Sequence, residues 1–211
     1  MTCRAVIFVD GSNWYHSLKE AGITGVGQLN YAKISRKLVG PSRQWIGTRY
    51  YIGRVNQNEA ARLYAEQRQF LAHLSATDPR ISHHLGRLET RHYTNDVAVE
   101  LKQYLAGLRT RIDIGVYQYL QTLANRYVSV PVTTEKAVDV KLAVDMVIMA
   151  ERGEYDAGYL LSADGDYTPA VEAVCSLKKP IYVASPATGA QLAQVATSFI
   201  KLRREWFSDC W

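Results

Sequence analysis

The sequence predicts an α/β fold: a three-layer sandwich with a central, mainly parallel sheet and a helical insertion. Three observations carry that expectation. Strand-like and helix-like stretches alternate along the whole 211-residue chain, the order that builds parallel sheets through helical crossovers. Strand candidates such as Ala5-Val6-Ile7-Phe8-Val9 and Ile181-Tyr182-Val183-Ala184 are unbroken apolar runs, as expected of strands buried on both faces. The segment from Lys136 to Ala150 is apolar nearly all round, which fits a helix buried in such a layered core.

Taken in order, Arg4 to Val9 is the first strand, rich in β-branched residues and closed by Asp10-Gly11-Ser12-Asn13 as a turn. A helix follows from about Trp14 to Ala21. Asn30 is placed to cap a second helix through Val39. Trp45 to Val55 alternates as a second strand. Asn58 opens a helix to about Ala76, with Leu63, Tyr64, Phe70, Leu71 and Leu74 among its apolar members and Pro79 ending it. Residues 80–93 are mixed and basic, and they read as strand or loop. From Asn95 to Asn125 helical spacing returns, with Gly107 and Gly115 as dividing points, and Tyr127 to Thr133 is extended. Gly153 stops the apolar helix. Ala157 to Leu161 is a strand, and a helix runs from about Pro169 to Leu177 with proline in its first turn. Ile181 to Ala184 is a further strand. The chain is expected to form one domain over residues 1–211, with the helical insertion at about 94–126.

The composition is 47% hydrophobic and 21% charged, ordinary for a globular domain and unlike a disordered chain. No apolar run approaches the roughly 20 residues of a membrane-spanning helix, and the N-terminus has no signal-peptide layout, so a cytoplasmic protein away from membranes is expected. Cys3, Cys175 and Cys210 are odd in number and far apart, which argues against a disulfide framework and a structural zinc site. The net charge is +5, but it is uneven: residues 1–134 hold 17 Lys and Arg against 9 Asp and Glu, and residues 135–211 hold 8 against 11. A basic front part suits a phosphate backbone, whose binding is largely electrostatic.

The acids of the back part, with Asp10, carry the chemistry. Ligands of parallel α/β sheets gather at the carboxyl ends of strands. Asp10 closes the first strand, and Asp164 and Asp166 follow the strand ending at Leu161. If those strands are neighbours, three carboxylates converge. Asp139 and Asp145 stand six residues apart on the preceding helix, about 120° and about 9 Å apart. One is expected to bind an ion and the other to orient a water or a side chain. Clustered carboxylates resist joint ionisation. A hard divalent cation relieves them, and in turn stabilises charge on a phosphate and acidifies a bound water. Each acid also has a plainer reading. Asp10 can be a turn former, Asp164-Gly165-Asp166 a turn or helix cap, and Asp139 a residue favoured at a helix start. Asp145 sits mid-helix on an apolar segment, which demands either a hydrogen-bonded partner or a function.

These motifs resemble the NYN domains, PIN-like nucleases that include the bacterial DUF88 type. Val9-Asp10-Gly11-Ser12-Asn13 is similar to their first-strand motif. The run from Lys136 through Asp139, Lys141 and Asp145 to Met146 is similar to their central helix. Leu160-Leu161-Ser162-Ala163-Asp164-Gly165-Asp166 through Pro169 is similar to their second acidic strand end, and Lys179-Pro180-Ile181-Tyr182-Val183 to the strand after it. Ala187 to Leu202 resembles the closing segment. The resemblance implies a PIN-like, Rossmann-like sandwich and a nuclease using Mg²⁺ or Mn²⁺ on RNA, single-stranded or structured. It implies Asp10, Asp139, Asp164 and Asp166 as metal ligands, with Asn13, Ser162 and Asp145 in support, and Asp145 able to exchange roles with Asp139. All five aspartates then form the catalytic set. The chain departs from the pattern in the 94–126 insertion, and in Ala196-Thr197-Ser198-Phe199, which lacks an acid often found before Phe-Ile.

Phosphate contacts are expected from Arg49, Arg54, Arg87, Arg91 and Lys141, within a wider basic set that includes Arg36, Lys37 and Arg43. Trp14, Tyr50, Tyr51 and Tyr93 are candidates for base stacking, although such aromatics more often lie in the core. His83-His84 reads as an exposed loop pair. Exposed Leu and Tyr residues on the 97–123 helices would point to a homodimer. Two rival readings differ in class. Asp164-Gly165-Asp166-Tyr167-Thr168 fits the DxDxT pattern of haloacid-dehalogenase-like phosphatases, but that motif belongs on a first strand and too little chain follows it. A non-catalytic RNA-binding or regulatory module of the same fold would keep the basic surface without cutting.

Overall fold

The first strand sets the centre of the molecule. In the computed structural model, which describes residues 2–58 and 60–211 without the side chains of residues 130, 131 and 133–135, Cys3–Asp10 is β1, followed by α1 (Gly11–Glu20), α2 (Tyr31–Val39) and β2 (Arg43–Ile52). Next come α3 (Ala61–Thr77), β3 (Ile81–Leu85), β4 (Arg87–Thr94), α4 (Asp96–Ala106), α5 (Ile114–Val128) and β5 (Ser129–Lys136). The last third holds α6 (Val138–Glu151), β6 (Ala157–Leu161), α7 (Thr168–Ser176), β7 (Ile181–Ser185), α8 (Ala190–Val195) and β8 (Ser198–Lys201). The chain divides into two compact units: Met1–Arg87 with Lys136–Trp211, and Leu88–Glu135.

The first unit carries a six-stranded sheet in the order β3-β2-β1-β6-β7-β8, with every pair parallel. This is the doubly wound order. Alternation along β1 sends Ala5, Ile7 and Val9 to one face, against Trp14 and Leu18 of α1, Ile34 of α2, and Leu71 and Leu74 of α3. Val6 and Phe8 face the other way, against Leu142 and Met146 of α6 and Val171 and Val174 of α7. Ile7 and Phe8 are fully buried, and each such side chain contributes roughly 1.5–3 kcal/mol. The α/β sandwich expected from the sequence is the fold observed.

Local chemistry sets several boundaries. Asn30 caps α2 as expected, its Oδ1 accepting the Lys33 N–H at 3.0 Å. Gly11 opens α1 because a Cβ there would come within 2.7 Å of the Tyr51 carbonyl oxygen. The stretch 80–93 is two strands, β3 in the main sheet and β4 in a two-stranded sheet with β5; His83 and His84 lie half-buried on β3, so the loop reading is corrected. Helix α3 opens at Ala61, later than Asn58, and Glu59 lies outside the described residues. In the second unit Asp113 opens α5, its Oδ1 accepting the Gly115 and Val116 N–H groups at 2.8 and 3.1 Å; Gly115 therefore falls inside the helix and does not divide it. Val97, Leu101, Tyr104 and Tyr119 on α4 and α5 are exposed. No helix among the described residues is long and apolar enough to cross a membrane.

One ion-pair triad fastens the β3 edge. Asp78 is buried and takes Arg80 at 2.8 Å and Arg36 at 3.0 Å. The Arg80 hydrogen bonds lead in holding its carboxyl down at about 2. A depressed carboxyl stabilises the fold fully above its ordinary value near 4, and that contribution is lost as pH falls toward 2. Asp78→Asn is expected to lower stability by about 1–2 kcal/mol at pH 7, trimmed by solvent on the half-exposed guanidinium groups. The difference in urea midpoints between wild type and variant should shrink to roughly a third between pH 7 and pH 2.5; a difference of undiminished size there would show that the charge is not the cause.

Candidate functional site

Strands β1 and β6 are parallel neighbours, with Val9 beside Leu161. From β1 the sheet grows through β2 to β3, and from β6 through β7 to β8 in the opposite direction. The loops after β1 and β6 therefore part and leave a crevice at the carboxyl edge, where doubly wound sheets bind ligands. Asp10 and residues 162–166 occupy that place.

A closed set of hydrogen bonds holds them. Asp10 Oδ1 accepts the Asn13 N–H at 3.1 Å and so caps α1. Its Oδ2 accepts the Ser162 hydroxyl at 3.0 Å. Ser162 Oγ in turn accepts the Asp164 N–H at 3.1 Å, and Asn13 Oδ1 accepts the Ala163 N–H at 2.9 Å. Asp164 Oδ1 accepts the Asp166 N–H at 3.0 Å, capping a short 3₁₀ turn over Gly165–Tyr167. Asp10, read plainly as a turn former, is thus a helix cap, and the capping reading of Asp164 is realised in the same loop. From the other side, Tyr167 donates its hydroxyl to Asp139 Oδ1 at 3.1 Å, fixing an acid of the first turn of α6.

The electrostatics follow from burial. Asp10 is 2% exposed. Loss of water pushes its carboxyl up, its two hydrogen bonds pull the other way, and the nearby charges of Asp139 and Asp164 push it up further. The Tyr167 phenol is likewise raised, first by burial and then by the charges of Asp10 and Asp139. The Tyr167 hydroxyl, bonded to Asp139, thus also feels the charges of Asp10 and Asp164. Among the described residues no group of three or more His, Cys, Asp or Glu side chains stands close enough to hold a metal ion jointly. The donor set is nonetheless all oxygen, and Mg²⁺ takes one or two carboxylates directly while keeping its waters. A buried carboxylate raised by two like charges fits that ion.

The remaining candidates lie elsewhere. The Asp166 side chain is exposed and lines a surface hollow with Thr168, Glu172 and Gln191. Asp145 forms a second centre. It accepts the Tyr51 hydroxyl at 2.8 Å and Lys141 Nζ at 3.0 Å, with Arg49 at 3.6 Å. Burial pushes its carboxyl up, but the hydrogen bonds of Tyr51 and Lys141 and the charges of Lys141 and Arg49 outweigh that and hold it low. His84 stacks on Tyr51 at 4.8 Å, and burial with the Arg49 and Lys141 charges lowers its affinity for a proton. Arg49 and Lys141 are therefore gathered by Asp145. Arg54 and Arg87 are exposed beyond β2 and at the start of β4, and Arg91 pairs with Glu89 in the second unit. Arg36 and Lys37 are tied to Asp78 and Asp209, and Arg43 to the Tyr159 and Tyr182 hydroxyls. Trp14, Tyr50 and Tyr51 are core residues and not stacking platforms; Tyr93 is exposed.

Two participants escaped the sequence reading. Tyr167 sits inside the acidic motif itself, so its position was the available signal. Tyr51 was legible only as an aromatic; its register opposite Asp10 puts it on the face that α6 covers.

The family model of the NYN domain matches residues 4–203. No curated protein matches the chain. A crystal structure of a protein of unknown function from Vibrio parahaemolyticus superposes with a TM-score of 0.55 at 18% identity, covering 94% of this chain and 92% of that one. It has the same fold.

The Asp145 centre makes a direct prediction. Asp145→Ala leaves the Tyr51 hydroxyl without its acceptor and is expected to cost about 1–3 kcal/mol. Tyr51→Phe added to Asp145→Ala should bring little further loss, because the orphaned hydroxyl is gone. Additive losses in a double-mutant cycle of thermal stability would show that the pair does not interact.

Proposed function

This chain belongs to the NYN domain family, within the PIN-like nuclease superfamily, and on that footing we propose that it is a metal-dependent ribonuclease hydrolysing RNA phosphodiester bonds. The observation that carries the reading is the buried carboxylate of Asp10 at the switch point of the sheet, bonded to Ser162 and the Asn13 N–H and pushed up first by burial and then by the charges of Asp139 and Asp164. Asp10, Asp139 and Asp164 would hold Mg²⁺ or Mn²⁺, which when bound supplies positive charge to the phosphate and acidifies the attacking water. The exposed Asp166 is assigned a place at the rim of the metal site.

The chain's own groups prepare that chemistry. Ser162 and Asn13 fix the orientation of Asp10 and of the loop after β6. Tyr167 fixes Asp139. Arg49 and Lys141, held by Asp145, stand as the cations for phosphate oxygens. Asp145 thus positions two cations and leaves the metal to the other acids. Arg54 and Arg87 extend the basic surface for RNA, and Arg91 is assigned to RNA held by the second unit. A second reading, an RNA-binding module without catalysis, draws on the lack of a three-sided ligand set among the described residues.

Labelled single-stranded and structured RNA, incubated with Mn²⁺, Mg²⁺ or EDTA, separates the two. Cleavage is expected with either ion and not in EDTA, and Asp10→Asn and Asp164→Asn should each lose about 100-fold or more. Equal cleavage by wild type and both variants would mean a contaminant. RNA binding with no cleavage would favour the binding module. Apart from activity, Mn²⁺ should raise the melting temperature of the wild type by a few degrees and leave Asp10→Asn unmoved, since only a bound ion shifts the unfolding equilibrium.

A further inference from the structure

The hollow between α3 and β3 lies outside the acid crevice, and of its lining Arg54 alone has been given a role above. Along α3, Tyr64, Gln67, Arg68, Leu71, Ala72 and Ser75 recur at spacings of three and four and so share one face. Here Ala72 and Ser75 are small, and a cavity of about 380 Å³ is left, within the size range of small-ligand sites. Gln67 pins its rim: Oε1 accepts the Val55 N–H at 3.0 Å and Nε2 donates to the Gly53 carbonyl at 2.6 Å. That holds the chain leaving β2, and with it Arg54, over the hollow.

The lining is chemically two-sided. Arg54 and Arg68 face it from β2's exit and from α3, and His83 stands with Ser75 at 3.1 Å. Among the described residues no carboxylate lines it and none pairs with Arg54 or Arg68. Arg36, Arg80 and Arg49, by contrast, are tied to Asp78 or Asp145. Tyr64, Leu71 and Leu85 supply an apolar wall. Two uncompensated guanidinium groups call for an anion, and an aromatic and aliphatic wall calls for a flat apolar group. A nucleotide carries both.

Its place in the sheet says which nucleotide. Tyr51 of β2 pairs with Asp10 on one side and with His84 of β3 on the other. Strand β3, whose His83 and Leu85 line the hollow, thus ends at the same carboxyl edge, two strand spacings or roughly 10 Å from the strand that ends in Asp10, and the hollow opens on the α3 side of that edge, across the sheet from α6. We propose that this hollow is a subsite for a nucleotide flanking the scissile phosphate, with Arg54 and Arg68 on its phosphate and Tyr64 against its base. The proposal rests on the nuclease reading for its substrate.

Binding in EDTA tests it without requiring cleavage. The probe is a fluorescent single-stranded RNA of about 12 nucleotides, and anisotropy is followed across a salt series. Arg54→Ala/Arg68→Ala should weaken binding on the order of 10-fold and flatten the log–log salt dependence by about 0.7 for each phosphate that is no longer neutralised. Tyr64→Ala should weaken it roughly 5-fold or more with an unchanged slope, because stacking releases no counterions. Unchanged affinity and slope in the double arginine variant would overturn the subsite. So would a hollow that binds a free nucleoside monophosphate, loses it in the double variant and leaves RNA affinity intact, since the ligand would then be a free nucleotide. Weakened binding of the expected size, in a protein that cuts no RNA with Mn²⁺ or Mg²⁺, would uphold the subsite and sink the nuclease reading.

Discussion

The buried carboxylate of Asp10 is the constraint to which the rest of the site answers. It ends the central strand, caps α1 through one oxygen and receives Ser162 through the other. Those two bonds tie β1, α1 and the loop after β6 together. A charge with so little water around it is unfavourable by itself, and two hydrogen bonds offset only part of that. The carboxylate is therefore rigidly held while only partly compensated. This is the expected relation between local instability and a functional position.

Separation along α6 explains why the acids form two centres and not one. Asp139 lies in the first turn, level with the crevice, where Tyr167 reaches it. Asp145 lies six residues on, and helix geometry carries it about 9 Å along the axis toward β2. There Tyr51, Arg49 and Lys141 gather on it. The same helix thus presents an anionic end to the crevice and a cationic group one strand away. A phosphodiester needs both signs within reach, since its oxygens are negative and its hydrolysis generates further charge.

Much of this was legible in the sequence, for identifiable reasons. Strands β1 and β6 and helix α2 announce themselves because they are buried on both faces or capped by a side chain of the right type, both local signals. The meeting of Asp10 with the loop that carries Asp164 was legible because carboxyl ends of parallel strands share one edge. Strand β3 was obscure because an edge strand with Ser82, His83 and His84 lacks a continuous apolar run. The start of α5 was misplaced because Gly115 attracts attention as a breaker, while Asp113 does the capping. The partners of Asp145 and the stranding of Asp166 at the surface depend on which residues meet across the sheet, and no spacing along the chain encodes that.

All six strands of the main sheet point the same way, and this has an evolutionary consequence. The acids of the crevice and the cations gathered on Asp145 stand at or near one rim. The opposite rim, where strands begin, carries connections such as the Arg4 to Asp156 pair. Inheritance can lengthen, trim or replace the first set of loops and change what is recognised, with the packed middle layer untouched. Drift in the second set alters durability and leaves recognition alone. Diversification and robustness are thereby assigned to opposite ends of one sheet.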